Sequence, residues 1–238
     1  MYIPRLFHEN NWPEIKKVIE ENSFATVISC SAGEPAATHV PLRLIESADG
    51  TAKLQGHVSK ANPHWRLFEQ EGRTLAIFTG PHAYVSPRWY DHVNVPTWNY
   101  VAVHVYGKAR VVKDAAEMRE MMKGLVDRYE GRHEGRHEEQ TEGQSEGGAT
   151  SQPDDKTNTE ATRRYTLEGL PHDFLQSQMK GIVGFEISID EVQASFKLSQ
   201  NRDQKNYGNV IAELRKRDDE KSQKVADLMS KRGKGSGD

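Results

Sequence analysis

Ser59, Lys60, Asn62 and Pro63 stand together in the tract GHVSKANPHW, at the end of a predicted strand. They supply a hydroxyl, a fixed cation and a helix start, and a phosphate dianion asks for that combination of charge and convergent donors. The plainer use is also open: Lys60 as a solvated loop lysine, with Asn62 capping a helix whose first position suits Pro63. The surrounding stretch, Gly56 to Gly107, carries three of the four tryptophans and several histidines. It reads as a binding surface built on strands.

The histidines define a second chemistry. His39, His57, His64, His82 and His104 lie in or beside these tracts, which permits a haem ligand or a general acid among them, against the ordinary role of a hydrogen-bonded structural residue. No pair has a firm metal-ligand spacing. His133 and His137 are four residues apart, as helical zinc ligands can be, but they fall in a tandem GRHE repeat with no helix predicted to fix them, so no metal site is expected.

Composition narrows the classes. With 238 residues and 35% hydrophobic residues, the chain has enough apolar material for one core and little for two. A net charge of -3 gives no support to a surface devoted to nucleic-acid phosphates, and no helix-turn-helix, zinc finger or basic arm is readable. The single cysteine, Cys30, sits in the apolar run FATVISC and is expected to be a buried thiol in a reducing compartment. The N-terminus lacks an apolar signal-peptide core, and no run of about 18 apolar residues occurs, so a cytoplasmic or nuclear location is expected.

Periodicity orders the elements that must hold these residues. Ile15, Val18 and Ile19 predict an amphipathic helix over 12–22. FATVISC, ATHVPLRLI and TAKLQGHV predict three strands in hairpin order, followed by a helix over 64–70 and a strand in RTLAIFTG. In WNYVAVHVYGKARVV, Asn99, Val101, Val103 and Val105 share one face, expected to be core; Trp98, Tyr100, Ala102, His104 and Tyr106 share the other. Met118, Met121, Met122 and Leu125 predict a helix from Asp114 to about Tyr129. GIVGFEISI places Val183, Phe185, Ile187 and Ile189 on one face of a last strand, and a helix is expected from Asp203 to about Arg217. The resulting division is one barrel domain over 1–130 and 164–217, a disordered low-complexity insert over 131–163, and a charged tail over 218–238, helical or disordered.

The tracts GHVSKANPHW, LAIFTGPHAYVSPRWY, VPTWNYVAVHVYGKARVV, MKGIVGFEISI and FKLSQNR, in this order, resemble the PAI 2-type transcriptional regulator family of the FMN-binding split-barrel superfamily. The resemblance runs from Met1 to about Leu214. It implies a mainly β, α+β protein, an antiparallel split β-barrel with flanking helices, that binds FMN at the interface of a homodimer. Ser59, Lys60 and Asn62 then become phosphate contacts. Thr79, Trp98 and Asn99 become contacts of the flat isoalloxazine ring, although a large aromatic at a strand end also serves as core or dimer contact. Gln200 and Arg202 become late contributors to the site, with a salt bridge at a helix start as the alternative for the arginine. The family name implies a flavin-dependent regulator or sensor with direct DNA binding that the residues themselves do not support. Relatives in the superfamily also imply an FMN-dependent oxidoreductase acting on a small molecule, or a haem-binding or haem-degrading protein. The catalytic residues are unassigned on any of these readings.

Overall fold

A computed structural model describes residues 1–70, 72–141 and 165–233. The chain divides into two compact units: Met1–His57 with Pro63–Val111 and Phe185–Asp238, and Val58–Asn62 with Val112–Gly184.

The first unit opens with α1 (Trp12–Glu21), whose start is fixed by Asn11 accepting the Glu14 N–H at 3.3 Å and by Pro13 in the first turn. Its buried residues are the Ile15, Val18 and Ile19 that the spacing predicts. Seven strands follow: β1 (Phe24–Ser31), β2 (Glu34–Pro41), β3 (Arg43–Glu46), β4 (Ala52–Ser59), β5 (Thr74–Val85), β6 (Thr97–Val111) and β7 (Ile182–Lys197). They form one sheet in the order β2-β1-β5-β6-β7-β4-β3, and the registered pairs are antiparallel.

The run ATHVPLRLI is two strands, not the one expected. It breaks at Leu42, which is 1% exposed and whose N–H donates to Ser23 O. β2 therefore pairs with β1 at one edge of the sheet, while β3 pairs with β4 at the other. Opposite edges joined through a single residue require the sheet to curl back on itself, which is the geometry of an open, split barrel.

Inside the curl lie Val101, Val103 and Val105 of β6, all fully buried as the period-two pattern predicts, with Phe78, Phe185 and Phe196 around them. Parity explains Cys30 as well. Ala25, Val27 and Ser29 of β1 point inward and are buried, so Cys30 points outward and is exposed, contrary to the expected buried thiol.

β7 is covered on both faces. Phe185 and Ile187 are fully enclosed, and between them Glu186, on the opposite face, is only 3% exposed. The carboxylate accepts from Gln55 at 2.7 Å, pairs with Lys53 at 2.6 Å and pairs with Arg110. Burial pushes its pKa up, but the hydrogen bonds of Lys53 and Gln55 and the charge of Arg110 pull harder, and the net result lies below the ordinary 4.5.

Two helices close this unit. α4 (Gln204–Arg215) starts at Asp203, which accepts from the Asn206 N–H at 2.9 Å, and buries Tyr207, Val210 and Leu214. α5 (Glu220–Arg232) starts at Asp219, which accepts from the Ser222 N–H at 2.8 Å. It occupies most of the stretch read as a charged tail and buries Val225, Ala226 and Met229 completely; residues 234–238 lie outside the described residues.

The second unit has its own core. α2 (Ala115–Thr141) turns Met118, Met121, Met122 and Leu125 inward against Leu167 and against Leu175 of α3 (His172–Lys180). The helix continues well past Tyr129 into the GRHE repeats, so 131–141 is helical where a disordered insert is expected. Helix propagation contributes to the difference: once packing nucleates the helix, Arg, Glu and Gln favour its extension and offset part of what Gly131 and Gly135 cost. The rest of the expected insert, 142–163, lies outside the described residues.

Two outcomes follow from this fold. A Cβ added at Gly107, where β6 and β7 shift register, would sit 2.0 Å from Ser188 O and 2.9 Å from the Ile187 side chain. Gly107→Ala should therefore cost about 3 kcal/mol, read as a lowered urea midpoint, and an unchanged midpoint would contradict the β6–β7 register. Because the Glu186 pKa is lowered on folding, its contribution is present above the ordinary value and lost as pH falls through 4.5 toward the folded value. Glu186→Gln should lose about 2 kcal/mol at neutral pH and flatten the acid limb of a stability–pH profile below that point.

Candidate functional site

The candidate phosphate corner begins where β4 ends at Ser59. Ser59 Oγ accepts from the Ala61 N–H at 3.3 Å and Ser59 O accepts from the Asn62 N–H at 2.9 Å, while the Lys60 N–H donates to Gly181 O at 2.8 Å. Three successive backbone donors are thus committed, two within the turn and one to Gly181. The element that follows is a short 3-10 helix, Pro63–Glu69, not an α-helix whose first turn would offer free N–H groups. What the corner presents for an anion is an exposed side-chain pair, the Ser59 hydroxyl and the Lys60 ammonium, with half-buried Asn62 beside them. Those donors fit a phosphate through side chains, without the N–H cradle that the sequence implies.

Thr79, in the middle of the β5–β6 ladder, and Trp98 and Asn99, at its loop end, take three different positions. The register of the pair shifts between Thr79 and His82, where Gly80 and Pro81 form a bulge. A bulge suits proline, which has no N–H for the ladder, and it re-aims the residues beyond it. Thr79 is exposed before the bulge. Trp98 is 52% exposed after it, with its ring 6.0 Å from Tyr84 in an edge-on contact and 6.3 Å from His82.

Asn99 points the other way. It is 1% exposed, its amide donates to Ser199 Oγ at 2.9 Å and faces Met229 Sδ at 3.4 Å, and Ser199 Oγ donates back to Asn99 Oδ1 at 3.1 Å. Adjacent residues of a strand cannot line one slot. In this structure Trp98 offers a surface and Asn99 ties β6 to the strand exit and to α5.

Around Trp98 the protein forms a slot of about 260 Å³ lined by His82, Tyr84, Trp98, Arg217, Lys221 and Ser222, among others. That volume lies just below the usual range for whole ligand pockets, roughly 300–1,000 Å³, so it takes part of a flat ring system and leaves the remainder outside. Cations surround the aromatics. Arg217 lies 4.9 Å from the Trp89 ring centre and donates to Tyr84 O at 3.1 Å, and Lys221 reaches His82 Nε2 at 3.4 Å. His82 and Tyr84 were findable in the sequence, because the hairpin register sets them beside Trp98. Arg217 and Lys221 were not, since they lie in a charge-rich stretch with no motif.

The late residues also separate. Gln200 accepts the Leu198 N–H at 2.7 Å and donates to Phe196 O, bracing a turn in which Ser199 has φ 62. It shapes the exit from β7. Arg202 makes no helix-start salt bridge among the described residues; its guanidinium lies 4.8 Å from the Tyr90 ring centre and 3.4 Å from Asn94 Oδ1.

Of the motif histidines, His64 is buried and bonded through Nδ1 to Thr38 Oγ1 at 2.8 Å, His39 stacks on Phe24, and burial lowers the pKa of His57, His64 and His104. No group of three metal-ligating side chains is found among the described residues. The side chains of His133 and His137 lie outside them.

The division of labour on β6 has a measurable consequence. Asn99→Ala should cost about 2 kcal/mol in urea unfolding, because it strands a buried hydroxyl and a thioether contact, whereas Trp98→Ala should stay within about 0.5 kcal/mol. Equal losses would refute the assignment of Trp98 to an exposed contact surface.

Comparisons with known proteins place this geometry. Residues 1–191 match the family described as "Putative FMN-binding domain". The protease synthase and sporulation protein PAI 2 of Bacillus subtilis is 37% identical over 229 residues, covering 96% of both chains. An uncharacterized protein of Emericella nidulans is 26% identical over 265 residues, covering 98% of both. Among solved structures, a flavocytochrome of Azotobacter vinelandii aligns with a TM-score of 0.53 at 15% identity, over 87% of this chain and 78% of that one. An FAD- and haem-binding protein of Mycobacterium smegmatis aligns at 0.51 and 15%, over 80% and 73%. Likeness at that identity concerns the fold, an antiparallel sheet with flanking helices in a split-barrel arrangement. The extent of the family match settles membership, and the near-complete alignment with the PAI 2 protein makes that protein a relative: the chain belongs to the family described as "Putative FMN-binding domain".

Proposed function

We propose that this protein binds FMN and works as a flavin-dependent regulator or sensor. The observation that carries the reading is the exposed aromatic slot at Trp98, with Tyr84 and His82 beside it and Arg217 and Lys221 at its rim. An isoalloxazine ring asks for a flat aromatic surface with polar groups at its edge, and the slot has both. On this reading Trp98 stacks on the ring, and Arg217 and Lys221 supply positive charge at its margin. Thr79, exposed on the same strand as His82, is the further hydroxyl donor.

FMN, when bound, supplies one- and two-electron redox chemistry. The chain's part is to orient and shield. No residue is assigned here as a proton donor to a substrate, which is why the regulatory reading comes first and an oxidoreductase second. The PAI 2 relative supports that order through its name, which connects it with protease synthesis and sporulation.

The reading includes a homodimer. The mixed face of β6, with half-buried Tyr100, His104 and Tyr106 and exposed Trp98, continues on β1 into Phe24, which is 68% exposed. A sheet face that is neither core nor fully polar suits a self-complementary two-fold contact.

Purified protein should carry a flavin absorption band, and on light-scattering chromatography that band should elute with the mass of two chains. Trp98→Ala should weaken FMN binding by about 10- to 100-fold, the range for one lost ring-stacking contact. A colourless preparation that takes up no FMN would sink the reading. Turnover of reduced nicotinamide by the flavin-loaded protein would promote the oxidoreductase over the regulator.

A further inference from the structure

Lys197 and Arg202 flank the turn that leaves β7, and between them they carry two positive charges with no counter-ion. Lys197 Nζ donates to Thr97 Oγ1 at 2.5 Å; Arg202 lies over the Tyr90 ring at 4.8 Å and reaches Asn94 Oδ1 at 3.4 Å. Neither forms an ion pair among the described residues. Burial, and then the charge of Arg202, hold the Lys197 ammonium below the ordinary lysine range. The carboxylates nearby are engaged elsewhere. Asp91 is held by Asn206, His92 and Lys205, and Asp203 caps α4.

The two residues that the guanidinium touches each carry a buried group that lacks a partner. Tyr90, 8% exposed, has a buried hydroxyl with no hydrogen bond, and the Asn94 Nδ2 amide is likewise buried and unbonded. Buried donors are nearly always satisfied in folded proteins, so two of them, on residues that touch an arginine with no carboxylate partner among the described residues, call for an acceptor.

We propose that Lys197, Arg202, Tyr90 and Asn94 form an oxyanion site that takes the phosphate monoester of a small molecule. A phosphate dianion matches the two positive charges, whereas a carboxylate leaves one unmatched. The arginine fork suits two phosphate oxygens, the ammonium suits a third, and the phenol and amide add neutral donors. Lys197 and Arg202 lie beyond residue 191, where the family match ends. Two sources share this chemistry, the phosphate tail of a flavin and the phosphate of a second molecule.

The test is a thermal unfolding series on the full chain in inorganic phosphate, against chloride at matched ionic strength. About 10 mM phosphate should raise the wild-type Tm by about 3 °C. Arg202→Gln and Lys197→Met should each abolish the rise, and Tyr90→Phe, which removes only the hydroxyl and keeps the ring under Arg202, should diminish it. Absence of a wild-type rise beyond chloride, or a rise that survives Arg202→Gln, overturns the site. Should either charge variant fail to fold, a full rise in Tyr90→Phe overturns the site equally. Repeating the series on FMN-saturated protein separates the sources: a persistent rise identifies a second phosphorylated molecule, and its loss identifies the flavin tail. A chain that takes up no FMN but keeps the Arg202-dependent rise defeats the flavin reading and leaves this one standing.

Discussion

The carboxylate of Glu186 sits almost wholly out of water in the middle of a sheet, and its neighbours explain how it can. Lys53 and Gln55 reach it from β4 and Arg110 reaches it from β6, so the strands on both sides of β7 contribute to one charge. An isolated buried carboxylate would cost several kcal/mol, and even a well-paired one often does no better than an apolar replacement. Its contribution here is therefore to register more than to total stability. A slip of one residue on β7 would turn Glu186 into the phenylalanine core and bring Phe185 or Ile187 out toward the cations. Gly107 enforces the same register by sterics, since a Cβ there would run into the Ser188 carbonyl oxygen.

With β6 and β7 locked in this way, the two faces of β6 acquire different uses. The valine face is fully enclosed and ends in Asn99, whose amide joins the strand to Ser199 and α5. The opposite face ends in Trp98, and the bulge after Thr79 sets His82 and Tyr84 beside it. A rigid ladder on one side thus allows large aromatics to stay exposed on the other. Exposed aromatics in a stable sheet signal contact with something else, since scattered apolar surface is ordinary but a cluster flanked by cations is not.

Much of this was legible in the sequence where one physical rule decided the outcome. Period-two alternation placed Val101, Val103 and Val105 in the core, and helical spacing placed Ile15, Val18, Ile19 and the α2 methionines. The same parity, applied to FATVISC, would have turned Cys30 outward, and applied to Trp98 and Asn99 it would have separated them. Composition overruled parity in both cases, because a cysteine in an apolar run and an amide beside an indole invite a local reading. The split of ATHVPLRLI at Leu42 was not legible, since only tertiary pairing distinguishes one strand from two that part to opposite edges. Nor was the approach of Arg217 and Lys221 to the Trp98 slot: long-range packing brings them there, and no spacing in the chain encodes it.

The chain handles buried charge in two contrasting ways, and the contrast is informative. At Glu186 one anion meets two cations and an amide, and the carboxylate is held ionised by partners from neighbouring strands. At the exit of β7 two cations meet no anion, and a phenol and an amide beside them have no acceptor. The first arrangement is complete as it stands. The second leaves two half-buried cations with neutral partners alone, Thr97, Asn94 and the Tyr90 ring, and no carboxylate among the described residues offsets their repulsion; such a cost persists in a fold when a bound group relieves it. Arg202 could have satisfied itself with Asp203, one residue away, but that carboxylate is spent on the first turn of α4. The capping bond and the unpaired arginine are thus one arrangement: helix α4 takes the local anion, and the guanidinium beside it is left to an anion from outside the chain.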